Sequence, residues 1–206
     1  MKLILSKIKT YFGKLDKLLL FMCMGIACFA VFIQYTLYEN DISSAVTASQ
    51  YKTQIIAFIA GIVIAMALAA INYKYLAKLW FIYVPLAMGL TLLLFTPLGI
   101  QREGADDIGW LDLGIMTIQP SEILKLAFIL SLAVHLSKVE DRMNEPIHFI
   151  LLCIHGAIPT LLIRQTGDDG SALVFLFIFI CMMFAAGLSW KYLVMIAVAI
   201  PAAVYV

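Results

Sequence analysis

The sequence predicts an all-α fold, a polytopic transmembrane helix bundle, and three observations carry that expectation. First, 64% of the residues are hydrophobic and only 13% are charged, with a mean hydropathy of +1.00. A soluble domain is about half apolar and about a quarter charged, so too little polar surface remains here to coat a water-soluble fold. Second, apolar runs recur at the length a bilayer demands, roughly 20 residues at about 1.5 Å each for a core of about 30 Å. Third, no segments of about ten alternating residues point to a barrel, which leaves helices to satisfy the backbone in lipid. A net charge of +1 gives no basis for nucleic-acid binding.

Taken in order, residues 1–17 set Leu3, Ile4, Ile8 and Phe12 among Lys2, Lys7, Lys9, Lys14 and Lys17. This pattern predicts a basic amphipathic segment lying on an anionic inner leaflet. The apolar run that follows is longer than the roughly 7–15 residues of a cleaved signal, so it is read as an uncleaved first span. The predicted spans are Leu18–Tyr38, Thr53–Ile71, Leu79–Leu98, Pro120–Leu136, Ile147–Ile163 and Ser171–Leu188. A seventh begins near Tyr192 and reaches Val206, so the chain is expected to be a single transmembrane domain, 1–206, that stops in or just after its last helix. Ala57, Gly61, Ala65 and Ala69 form a small-residue stripe on the second span, a surface suited to close helix packing. Pro85 and Gly89 suggest a kink or thinning in the third. Cys23, Cys28, Cys153 and Cys181 all lie in apolar runs and read as small hydrophobes rather than a disulfide framework.

Orientation follows from the basic residues of the short loops. With the N-terminus inside, the inner segments hold ten: Lys2, Lys7, Lys9, Lys14, Lys17, Lys74, Lys78, Lys138, Arg142 and Lys191. The outer loops hold three: Lys52, Arg102 and Arg164. The sequence therefore predicts a multi-pass protein with a cytoplasmic N-terminus and outward-facing loops at 99–119 and 164–170.

Charges near membrane helices need a reason, because an ionisable group at the bilayer centre costs about 2.5–3.5 kcal/mol. The fourth span opens QPSEILK. Pro120 suits the first helical position, Gln119 then falls at the N-cap, and Glu122 gains from the helix dipole. Lys125, so close to the helix N-terminus, is disfavoured by that dipole and has the i,i+3 pairing with Glu122 as its main intramolecular help. Two readings stand: an ion pair that caps the helix with the amine snorkelling outward, or a cation facing a water-filled cleft and held there by Glu122. The loop before this helix carries Arg102, Glu103, Asp106, Asp107, Trp110 and Asp112. Such carboxylates can ligate a divalent cation or simply be solvated. Ile108, Trp110, Leu111, Leu113, Ile115 and Met116 place its second half at the interface, with Trp110 an interfacial anchor or a cleft-lining group. In RQTGDDGSALVF, 164–175, Asp168 and Asp169 are placed to cap a helix or form a turn. His135, His148 and His155 do not have the spacing of a metal triad and read as satisfied or interfacial histidines.

These two polar knots, WLDLGIMTIQPSEILKLAF at 110–128 and GDDGSALVFLFIF at 167–179, followed by AAGLSWKYL at 185–193, resemble the SEDS family of bacterial membrane proteins (RodA, FtsW and SpoVE). The first matches the family's Trp, Leu-Gly element, Gln-Pro-Ser-Glu and a Lys three residues after the Glu. The second matches a weaker Asp-x-Gly-Thr/Ser-Ala pattern. WLDLG makes the chain look nearer to RodA than to FtsW. Two departures stand out. Many members have arginines directly before the Trp, where this chain has Ile108 and Gly109, and Arg102 is too distant in sequence to count as a replacement. Asp169 stands where Leu is usual.

The resemblance implies a peptidoglycan glycosyltransferase in a bacterial plasma membrane, polymerising lipid II on the outer side with a monofunctional penicillin-binding protein transpeptidase as partner. It implies substrate-binding roles for Lys125 at the pyrophosphate, Glu122 as its orienting partner, Ser121, Gln119 and Trp110 in shaping the cleft, and Asp168 in organising the outer loop. The family has about ten spans of helical length and a long outer loop after the seventh that bears the catalytic aspartate. No catalytic residue is therefore expected within this chain, and the fragment alone is expected not to polymerise glycan. The glycosyl-transfer reading leaves room for a divalent cation and requires none. Alternatives are a lipid II transporter and a non-catalytic truncated membrane protein. An unrelated transporter predicts inverted hydropathy repeats, and none is visible.

Overall fold

The computed structural model describes residues 16–40, 48–102, 104, 106–114, 117–192 and 194–195. The basic segment expected over 1–17 falls almost wholly outside these residues, as do Glu103, Ile115, Met116 and most of the seventh span. The chain divides into two compact units, residues 1–73 and 74–206.

The first unit is a helical hairpin. Helix α1, Lys17–Glu39, begins where the Asp16 carboxylate accepts the Leu19 amide at 3.0 Å, which satisfies one of the free N–H groups at a helix start. Helix α2, Ala48–Ala70, returns beside it. The Tyr38 and Tyr51 rings stack with centroids 6.1 Å apart, and Tyr35 lies 5.8 Å from Tyr51. Both helices are apolar along their length with exposed side chains such as Phe21, Ile26, Ile56 and Val63, as lipid-facing helices require. The small-residue stripe is not gripped at Gly61, where an added Cβ would meet no atom within 4 Å.

Helix α3, Tyr73–Lys78, starts on the last residue of the first unit, and the second unit continues with α4, Trp80–Leu92, which includes Pro85 and passes into a 3₁₀ turn at Leu93–Phe95. The predicted third span thus ends earlier than Leu98. Three short strands follow, β1 Gly99–Ile100, β2 Trp110–Asp112 and β3 Thr117–Ile118. They form an antiparallel sheet that pairs Ile100 with Trp110 and Leu111 with Ile118. The sequence expectation of helices alone holds for the spans; the loop between two of them folds as this small sheet. Helix α5, Pro120–Lys138, and a 3₁₀ turn at Glu140–Arg142 lead to α6, Pro146–Arg164, and α7, Asp169–Ala185. Among the described residues, α1, α2, α5 and α6 are long and apolar enough to cross a membrane, while α4 with its extension and α7 are apolar but shorter.

Helices in lipid gain little from hydrophobic burial against each other, so packing and polar contacts hold them. The core of this unit sits on α5, where Leu124, Phe128 and Leu132 are buried against Leu152 of α6 and Phe175 and Met183 of α7. The Phe128 and Phe175 rings are 5.6 Å apart. Gly156 lets α6 close on α7: a Cβ there would lie 2.7 Å from the Phe179 ring. At the end of the bundle away from the sheet, Asn144 clips the chain beyond α7. Its side-chain oxygen accepts the Ser189 amide at 2.8 Å, and its carbonyl accepts the Tyr192 hydroxyl at 3.0 Å.

Candidate functional site

The two polar knots meet at the sheet-bearing end of the second unit. The first is built on the head of α5. Gln119 occupies the N-cap with extended backbone but makes no side-chain cap bond, and Pro120 fills the first helical position. Ser121 points inward; its hydroxyl is buried and lacks a hydrogen-bond partner. One turn on, the Lys125 ammonium meets the Glu122 carboxylate at 2.6 Å. The pair is asymmetric: the Lys125 side chain is 17% exposed and that of Glu122 62%. The lysine stem is therefore packed in the bundle while the carboxylate is wet. An ammonium has three donors, and Glu122 takes one of them.

The sheet supplies the next layer. Leu111 is fully buried and anchors β2, while Trp110 beside it stays half-buried. The Arg102 guanidinium lies over the Trp110 ring, 3.4 Å from its centroid, and reaches toward the Thr117 hydroxyl at 3.5 Å. Arg102 is too distant in sequence to count as a replacement for the family's arginines before the Trp, yet pairing of β1 with β2 brings it back across the strand to Trp110. The interfacial expectation for this loop divides by residue, since Ile108 and Leu113 are exposed and Leu111 is not. Asp112 turns the chain by accepting the Gly114 amide at 2.7 Å.

The second knot docks against the same loop. The Ile108 amide donates to the Thr166 carbonyl at 2.9 Å. Gly167, with φ of +87°, brings the turn so close that a Cβ would sit 3.4 Å from the Asp107 Cα. On the other side of the loop, a Cβ at Gly109 would run into the Asp107 carboxylate and lie 3.8 Å from the Gln119 amide nitrogen. Asp107 and Gln119 thus approach one point. Asp168 caps α7 as predicted, its Oδ1 accepting the Ser171 amide at 2.7 Å, and Asp169 faces Arg164 at 3.8 Å.

Of the residues singled out in the sequence, Trp110, Gln119, Ser121, Glu122 and Lys125 therefore lie on adjoining elements, and Asp168 begins the helix whose leading turn touches their loop. Arg102, Asp107 and Thr166 join them only in three dimensions. The available signal was weak: Arg102 and Trp110 flank a loop whose strands are only two or three residues long. Among the described residues no three His, Cys, Asp or Glu side chains converge on a point where they could hold a metal ion.

The FtsW/RodA/SpoVE model, described as a cell cycle protein, matches residues 14–206. The chain belongs to that family. It is 32% identical over 204 residues to a probable peptidoglycan glycosyltransferase FtsW from Geobacter sp. (strain M18), covering 92% of this chain and 53% of that protein. It is 27% identical over 200 residues to the peptidoglycan glycosyltransferase MrdB of Escherichia coli (strain K12), covering 95% of this chain and 50% of that one. Among solved structures it resembles the rod shape determining protein RodA of Thermus thermophilus, with a TM-score of 0.63 and 25% identity over 84% of this chain and 58% of that one. A chain of a peptidoglycan synthase complex, reported for its coordination of polymerization and crosslinking, matches with a TM-score of 0.65 and 26% identity over 87% of this chain and 53% of its own length. The chain thus spans about half the length of the curated relatives it matches. Family and fold together make it a multi-pass membrane protein with a RodA-like helical fold.

Proposed function

We propose that this chain forms the lipid-substrate-holding part of a peptidoglycan glycosyltransferase that polymerises lipid II. One observation carries the reading: a lysine at the head of an apolar helix, its stem packed and its amine held by a single exposed carboxylate. Two donors of that ammonium remain for an anion, and a diphosphate is an acceptor that gains from charge-assisted bonds at a membrane boundary. In this reading Lys125 meets the pyrophosphate and Glu122 aims it. Trp110, with Arg102 on its ring, and Gln119 shape the cleft wall. Ser121 backs the head of α5 from within the bundle, its hydroxyl buried, and Asp168 keeps the α6–α7 turn seated on the loop. In this reading these residues bind and orient the lipid substrate, and the general base that deprotonates the acceptor sugar hydroxyl is not among them.

The bias of ten inner to three outer basic residues supports an inward N-terminus in the bacterial plasma membrane, with the sheet-bearing end outward where lipid II is consumed. The likeness to a chain from a synthase complex supports a monofunctional penicillin-binding protein as partner. The test gives the intact gene product, with its transpeptidase, labelled lipid II in proteoliposomes. Glycan chains are the expected product. Transbilayer movement of the label without glycan would replace polymerisation by transport, and neither outcome from a well-folded protein would leave a non-catalytic role.

A further inference from the structure

A polar chain crosses the interior of the second unit far from the sheet. The His135 and His155 Nδ1 atoms are 3.1 Å apart, and the rings stack with centroids 5.3 Å apart. The other ring nitrogen of His155 lies 3.0 Å from the Ser131 hydroxyl, which itself donates to the Phe128 carbonyl at 3.1 Å. Ser131, His135 and Phe128 are on α5 and His155 is on α6. Ser131 lies roughly 16 Å along α5 from Pro120, near mid-membrane depth for a core of about 30 Å. Ionisable groups at such depth mark function by default.

Proton counting fixes the polarity. Two Nδ1 atoms at hydrogen-bond distance share one proton, so at least one ring is neutral. Ser131 has one proton, and it is committed to Phe128. With both rings neutral, His155 then donates from Nε2 to Ser131 and accepts at Nδ1 from the Nδ1–H of His135. The reverse polarity makes one bond fewer, because the serine proton must then leave the carbonyl. The chain ends on a backbone carbonyl, which accepts a proton bond but passes no proton on. It is a clasp and not a wire.

We propose that His135, His155 and Ser131 form a directional clasp that sets the rotation and spacing of α5 and α6, and so acts as a positioning device for the sheet-end site. The lever is long: His155 and Thr166 are roughly 16 Å apart along the chain if helical. A tilt of about 5° at the clasp would move the Thr166 end by roughly 1.5 Å, and oriented sites lose rate steeply at offsets of about 1 Å. Thr166 is the residue that receives the Ile108 amide, so the clasp controls whether the second knot stays seated on the first. Only the value of that seating rests on the glycosyltransferase reading.

Two measurements on the chain in lipid nanodiscs test this, and neither needs catalysis or a ligand. Solid-state NMR of ¹⁵N-histidine-labelled protein is expected to show His155 as the Nε2–H tautomer and His135 as the less common Nδ1–H tautomer. Ser131→Ala, which leaves the His135 and His155 side chains in place, is expected to shift His135 toward Nε2–H by removing the bond that fixes the polarity. Spin labels at the exposed positions Leu113 and Leu161, with the native cysteines replaced by serine, are expected to show a distance shifted or broadened by about 1–2 Å, the scale of that lever, in His155→Ala. An Nε2–H tautomer at His135 in the parent protein, no response of His135 to Ser131→Ala, or an unchanged label distance in folded His155→Ala overturns the proposal. Absence of glycan from the intact gene product with an intact clasp would instead count against the activity reading.

Discussion

Replacing Lys125 by Met separates a cation kept for a ligand from one kept for the helix. Methionine preserves the apolar stem that packs in the bundle, so the substitution removes mainly the ammonium. The structural loss is then the Glu122–Lys125 contact at 2.6 Å. Glu122 is 62% exposed, so water screens the pair and re-solvates the carboxylate when the amine is gone. An exposed i,i+3 pair contributes about 0.2–1 kcal/mol, and loss of a cation near a helix N-terminus returns some of that. Unfolding stability should therefore fall by less than about 1 kcal/mol. A charge-assisted bond to a diphosphate is worth about 1.5–3 kcal/mol, which at about 1.4 kcal/mol per tenfold is a loss of about 10- to 150-fold in affinity. The assay is equilibrium binding of undecaprenyl pyrophosphate to the protein in nanodiscs, with undecaprenol as the uncharged control, beside a thermal melt. The expected result is weakened diphosphate binding with an almost unchanged melt. Unchanged binding with a melt lowered by more than that bound would make Lys125 a structural residue and refute the reasoning.

Three further outcomes follow from the packing. Gly156→Ala should destabilise the second unit by about 1–3 kcal/mol through overpacking, because the new Cβ meets the Phe179 ring at 2.7–3.0 Å; pairing it with Phe179→Leu should recover part of the loss in thermal melts. Asp168→Ala should cost about 1 kcal/mol and raise amide exchange in the first turn of α7, while Asp168→Asn, which keeps the cap on the Ser171 amide, should stay close to the parent. Arg102→Leu should change stability by less than about 1 kcal/mol, the scale of an exposed cation–π contact, but alter Trp110 emission measured with Trp80 and Trp190 replaced by Phe.

The spans were readable before any coordinates because hydropathy is a sum over about 20 residues, and such a sum tolerates an error of a few positions at either end. α1, α5, α6 and α7 accordingly begin within a few residues of their predicted starts. The Glu122–Lys125 pair and the Asp168 cap were readable for a related reason. Helical periodicity alone places residues three apart on one face, and a cap reaches only into its own first turn. The path of the irregular loop was not readable in the same way: Arg102 is eight positions from Trp110 in sequence and stacks on it only because two very short strands pair.

Local order, in short, was written in the chain as periodicities and end signals that each segment carries within itself. The meeting of Asp107 with Gly167, the seating of Ile108 on Thr166, and the His135–His155–Ser131 clasp belong to no segment. Each depends on how far one helix or loop is rotated and shifted against another. That choice is made by collective packing around residues such as Phe128, Phe175 and Gly156, where a change of about one methylene is felt. Hydropathy does not encode it, since many rotations of an apolar helix expose nearly the same surface to lipid.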